Sequence, residues 1–159
     1  MPDESILVDT NVLLTATTPS RPFHREALAV LNEWPTQGAR LCAPGQVLRE
    51  YLVVATRPAE NNGLALEPAQ ALANVSTLRK RLRLLEETAR VSERLLQLVQ
   101  EFGCRSKQIH DANLVAAALT HDVGRIVTAN ARDFRRFESH VEILDLATTT
   151  RPSGSPGRH

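Results

Sequence analysis

Short apolar runs alternating with longer stretches of helical spacing constrain this chain more than any other feature of it. Ser5–Val8, Arg40–Ala43, Arg125–Thr128 and Val141–Leu144 are too short for helices and rich in Ile, Leu and Val. Such runs, bounded by turn residues, read as buried strands. Arg83–Glu86 is a weaker fifth candidate. Between them, Phe23–Trp34, Gly45–Thr56, Pro68–Leu78, Thr88–Phe102 and Ile109–Thr120 repeat apolar residues at helical intervals. Asp9-Thr10-Asn11 closes the first run and caps a helix beginning Val12-Leu13-Leu14. Pro44 is expected at the first position of its helix, which ends before Pro58. Gly103 ends the Thr88 helix, and Asp133–Phe137 is expected to make one helical turn. This alternation predicts an α/β domain with a mostly parallel five-stranded sheet flanked by helices. Right-handed crossovers put the C-terminal ends of parallel strands on one edge, where ligands bind.

A chain of 159 residues is expected to form one domain, here residues 1–147, followed by a flexible Ser/Pro/Gly tail over 148–159. No apolar run approaches the roughly 18 residues of a membrane span. MPDESILVDTN lacks the basic start of a signal peptide, and Cys42 and Cys104 form no C-x-x-C pair. A reducing cytoplasm is therefore the expected compartment, with no membrane partner. Charge is unevenly spread. Residues 1–78 hold 5 Lys/Arg against 8 Asp/Glu, and residues 79–159 hold 14 against 10. The basic second half points to an anionic partner. Six residues are Phe, Trp or Tyr, too few for a sheet that stacks bases.

Four acidic residues fall where the fold predicts chemistry. Asp9 closes the first strand, Asp111 lies in the first turn of its helix, Asp133 follows the fourth strand, and Glu50 sits beside an apolar helix face. Each has a plainer explanation taken alone. Asp9 caps a helix, Asp111 complements a helix dipole, Glu50 is solvated, and Asp133 pairs with a neighbouring arginine. Taken together, carboxylates converging in a dry cleft need a positive counter-ion or must hold protons. No lysine or histidine stands at a matching place in these segments, and His110 is expected to point away from Asp111. Oxygen-only donors favour Mg²⁺, with Mn²⁺ as a substitute, and such an ion suits phosphodiester hydrolysis. Thr10, Asn11, Thr128 and Asn130 are candidates to hold the carboxylates or waters. Arg132, Arg135 and Arg136 surround Asp133 and are candidates to hold a polyanion's backbone, which the resemblance below makes RNA.

ILVDTNVLL, VLREYLVV and IHDANLVAAALTHDVGRIVTANARDF, in this order and spacing, resemble the PIN-domain family, and within it the VapC-type toxin ribonucleases of bacterial toxin–antitoxin pairs. The resemblance covers residues 5–146. It implies a PIN-like three-layer fold and a Mg²⁺-dependent endoribonuclease leaving 5′-phosphate and 3′-hydroxyl ends. It carries metal ligation onto Asp9 and Asp111 and a catalytic glutamate onto Glu50. The last acidic position falls on Asp133, with Asn130 as a polar helper. A homodimer and a VapB-type antitoxin, inserting a segment into the acidic cleft, are also implied. The helices around Gln46–Thr56 and Pro68–Leu78 are candidate dimer surfaces.

Two other functions compete. A catalytically inactive RNA- or protein-binding module on the same fold gains nothing from an uncompensated acidic cleft. A phosphotransfer enzyme with Asp9 as nucleophile lacks the second carboxylate at Asn11 and a lysine in Ile126-Val127-Thr128-Ala129.

Overall fold

The computed structural model describes residues 4–148. Residues 1–3 of the expected domain, and all of the expected tail except Thr148, lie outside the described residues. Five strands form one sheet: β1 (Ser5–Val8), β2 (Arg40–Pro44), β3 (Arg83–Leu85), β4 (Arg125–Thr128) and β5 (Glu142–Asp145). Their order is β3-β2-β1-β4-β5, and every pairing is parallel. Seven α-helices connect them: α1 (Thr10–Ala16), α2 (His24–Asn32), α3 (Gly45–Thr56), α4 (Pro68–Arg79), α5 (Ala89–Phe102), α6 (Gln108–Thr120) and α7 (Ala131–Phe134).

The chain leaves β1 for β2 on one side and later returns to β4 on the other. The end of β1 beside β4 is therefore the switch point of the sheet, the usual place for a ligand. β1 owes its central position to its side chains. Ile6, Leu7 and Val8 are wholly buried, as a parallel strand covered on both faces requires. Thr88 caps α5 by accepting from the Val91 N–H, and Gly103 ends that helix in the left-handed conformation at φ +60°.

The wall that carries Glu50 is anchored from behind. The buried Tyr51 hydroxyl lies 2.8 Å from Thr17 Oγ1 and accepts from Asn74 Nδ2 at 3.0 Å. One phenol thereby ties α3 to α4 and to the end of α1. Beyond α3, residues 58–66 fold back on its last turn. Leu64 N–H donates to the Val54 carbonyl at 3.0 Å, and Ala65 N–H to the Arg57 carbonyl at 2.9 Å.

Three local expectations shift. Pro44 is the last residue of β2 and precedes the helix, which begins at Gly45; its backbone is extended, at ψ 164°, because it still continues the strand. Strand β5 begins at Glu142 rather than Val141, since Val141 N–H closes the preceding turn onto Phe137. The single turn expected at Asp133–Phe137 is α7 followed by a 3₁₀ turn at Arg135–Phe137.

A Cβ at Gly63 would fall on the Arg57 backbone carbonyl, whereas one at Gly45 meets nothing within 4 Å. Overpacking against backbone costs about 1–3 kcal/mol, so Gly63→Ala is expected to lower Tm by roughly 2–12 °C. Gly45→Ala is expected to leave Tm unchanged. Thermal melts of the two variants check this.

Candidate active site

Asp9 occupies the switch point as the N-cap of α1. Its backbone is extended, at ψ 155°, while α1 begins at the next residue. The peptide N–H of Asp9 still donates to the Val127 carbonyl of β4 at 3.0 Å. Its carboxylate is held on both oxygens: Oδ1 accepts from Thr10 N–H at 2.7 Å and Oδ2 from Thr128 Oγ1 at 2.8 Å. Thr128 Oγ1 in turn accepts from Asn130 N–H at 2.9 Å. Asn11 Oδ1 accepts from Ala129 N–H at 2.9 Å and closes the same corner. Asp9 is 6% exposed. Burial pushes its pKa up from 3.8 to about 6, with a smaller push from the charge of Glu50. The hydrogen bonds from Thr128 and Thr10 oppose that rise.

Glu50 is also fixed on both oxygens. Oε1 accepts from Thr10 Oγ1 at 2.8 Å, and Oε2 from Gln46 Nε2 at 2.9 Å. Thr10 thus serves two carboxylates, one through its amide and one through its hydroxyl. Gln46 is buried one helical turn before Glu50, and its Nε2 also donates to the His110 carbonyl at 3.1 Å. Its Oε1 accepts from Asn113 Nδ2 at 2.6 Å. Glu87 completes the network, accepting from Gln46 N–H and from Asn113 Nδ2, both at 3.0 Å. The hydrogen bonds of one buried amide therefore lock α3 against α6.

Asp111 faces these groups from the first turn of α6. No side chain among the described residues donates a hydrogen bond to it. Its pKa rises from 3.8 to about 7, first through burial and then through the charges of Asp9, Asp133 and Glu50. Lys107 partly opposes the rise. Asp9, Glu50, Asp111 and Asp133 line one cleft of about 560 Å³. Among the described residues, no three His, Cys, Asp or Glu side chains are already drawn into a ligand cluster. The donors are nonetheless all carboxylate oxygens, and burial together with like charge raises the pKa of Asp9 and Asp111. That set suits a hard cation that keeps several waters and takes few protein ligands.

Thr10, Asn11 and Asn130 line the same cleft, and Thr128 reaches it through Asp9. Arg132, Arg135 and Arg136 are exposed, and none of them lines the cleft. Neighbours of Asp133 in sequence, they project from other sides of a short helix. The cations on the cleft are instead Arg49, Arg57 and Lys107. His110 also lines it, against the expectation that it points away. Lys107, His110 and Asp111 sit at i, i+3 and i+4, so they share one helical face. The same spacing rule, applied outward from Glu50, reaches Gln46, Val53 and Arg57, and Arg49 lies four residues before Val53.

A PIN-domain family model matches residues 6–139. This chain belongs to the PIN-domain family. No curated protein sequence matches it. Solved structures with the same fold include a toxin–antitoxin complex from Klebsiella pneumoniae (24% identity, 81% of this chain and 89% of that one, TM-score 0.58). VapBC-1 from nontypeable Haemophilus influenzae aligns at 17% identity over 91% of this chain and 99% of that one, with TM-score 0.65. Mycobacterium tuberculosis VapC20, described as a sarcin–ricin loop cleaving toxin, aligns at 17% identity over 86% and 95%, with TM-score 0.63. At these identities the likeness shows the PIN fold.

The raised pKa values make the metal-free PIN domain pH-sensitive. The folded state holds protons on Asp9 and Asp111 more tightly than the unfolded chain does. Their contribution to stability is full below about pH 4 and is lost as pH rises through about 6 to 7. Without divalent cations, Asp111→Asn is expected to melt higher than wild type at pH 8 and level with it near pH 4. Paired thermal melts at the two pH values check this.

Proposed function

We propose that this PIN domain is the toxin of a VapBC-type toxin–antitoxin pair, a Mg²⁺-dependent endoribonuclease for which Mn²⁺ substitutes. One observation carries the reading: Asp9, Glu50, Asp111 and Asp133 share a cleft at the switch point of the sheet, and none of them is in an ion pair among the described residues. A PIN domain spanning residues 1–147, with 148–159 as a tail, accounts for the whole chain. No helix among the described residues is long and apolar enough to cross a membrane, and a cytoplasmic RNA substrate fits that.

When bound, a divalent cation supplies an acidified water and neutralises charge on the phosphate oxygens. Asp9 and Asp111 would hold it. Asp9 is held rigid by Thr10 and Thr128, so its free lone pairs have fixed directions. Asp111 has no hydrogen-bond donor to surrender before it ligates. Glu50 is gripped on both oxygens and stands ready to accept the proton of the attacking water on a remaining lone pair. Asp133, which also lines the cleft, would orient that water, and Asn130 would support it from the same turn.

The solved toxin–antitoxin complexes of this fold favour a VapB-type antitoxin as the partner. An antitoxin segment in the cleft and a homodimeric resting assembly belong to the same proposal. Either Asp9→Asn or Asp111→Asn is expected to cut Mg²⁺-dependent cleavage of a labelled RNA by at least about 100-fold. EDTA is expected to abolish cleavage by the wild type. Wild-type cleavage that survives EDTA refutes the metal-dependent reading. Products are expected to carry 5′-phosphates, which ligation-based end mapping reads.

A further inference from the structure

Arg49 and Arg57 line the cleft and have no part in the chemistry above. They flank Val53 at four-residue intervals on the stripe of α3 that carries Gln46 and Glu50. At about 1.5 Å per residue, Arg49 stands level with Glu50 and Arg57 about 10 Å farther along the axis. The cleft therefore has two unlike ends. One holds the carboxylates, and the other is apolar and basic, walled by Leu14, Val53 and Val54 between the arginines. Val53 is 52% exposed, an unusual site for a bare Val unless something covers it. Neither arginine is ion-paired or hydrogen-bonded through its side chain among the described residues. Arg57 is half-buried, and residues 58–66 clamp its backbone at the end of the helix. The backbone that carries this cation is thus fixed, and its side chain has no partner among the described residues.

We propose that Arg49, Val53 and Arg57 form a track for single-stranded RNA next to the scissile phosphate. The arginines hold flanking phosphates, and a base or ribose covers Val53. The ligand's identity rests on the nuclease reading. The spacing selects its length. A mononucleotide with its phosphate at the carboxylates does not also reach a cation about 10 Å farther on, whereas a chain charged at every nucleotide does. The apolar floor selects a single strand. A duplex keeps its base faces stacked inside, and an unpaired strand offers them to an apolar surface. The nuclease reading favours RNA over an acidic peptide, because a hard cation held by Asp9 and Asp111 would take a phosphate oxygen among its remaining ligands.

The test is the salt dependence of binding. A 5′-labelled single-stranded RNA dodecamer is titrated by fluorescence anisotropy in EDTA, where it stays uncut, across a range of salt concentrations. Each phosphate contact adds about 0.7 to the magnitude of the slope of log K against log salt. Arg49→Gln and Arg57→Gln are each expected to reduce the slope by about 0.7, and the double variant by about 1.4. Arg57→Lys, which keeps the charge, is expected to retain the wild-type slope. An unchanged slope in the double variant overturns the track. So does a slope that falls only when Arg132, Arg135 and Arg136 are replaced by Gln. Selective loss of binding to a polyglutamate peptide, with RNA binding intact, assigns the surface to an acidic protein and also overturns it. Cleavage with Mg²⁺ is measured in parallel. A wild type that binds with the predicted slope but never cleaves sinks the nuclease reading alone, and one that cleaves without the slope change sinks the track alone.

Discussion

The burial of one carboxylate at the junction of two parallel strands governs this molecule. Asp9 ends the central strand, caps the next helix and bonds across to Thr128 of β4. That bond requires β1 to lie beside β4, as it does in this sheet. Removing a carboxylate from water is costly, and the hydrogen bonds from Thr10 and Thr128 offset only part of that cost, since the pKa still rises to about 6. The fold therefore carries an electrostatic cost at its switch point, which a bound cation would offset.

The rest of the site is arranged around that fixed point. Thr10 passes the constraint from Asp9 to Glu50 through its hydroxyl. Gln46 passes it from Glu50 to α6 through the His110 carbonyl and Asn113. Asp111 is left without a donor and crowded by three like charges. Rigid carboxylates on two walls and a frustrated one on a third form a pre-organised cleft, in which the electrostatic cost is present before any ligand arrives.

Much of this was legible in the sequence because the relevant signals are local. Ser5–Val8 is uninterrupted and apolar because the strand is buried on both faces, and Asp9 follows it because a helix must be capped there. The helical residues Glu50 and Asp111 declared themselves by lying beside apolar stripes. What escaped was of two kinds. The Gln46–Asn113–Glu87 network joins residues 26 to 67 positions apart, and no spacing rule connects them. Arg49 and Arg57 carry no signal of their own in the sequence, because only the position of α1 and α6 turns that face into a wall. Arg132, Arg135 and Arg136 erred the other way, since adjacency to Asp133 in sequence does not survive the tight turns of α7 and the 3₁₀ segment after it.

Calorimetric titration of the intact protein with Mn²⁺, repeated in buffers of different ionisation enthalpy, tests the cation claim most directly. The raised pKa values of Asp9 and Asp111 predict binding that releases protons at pH 6 and releases almost none at pH 8.5. Binding is also predicted to vanish in Asp9→Asn. Absence of a divalent site in the wild type, or a site whose affinity and proton release are untouched by Asp9→Asn, contradicts the account.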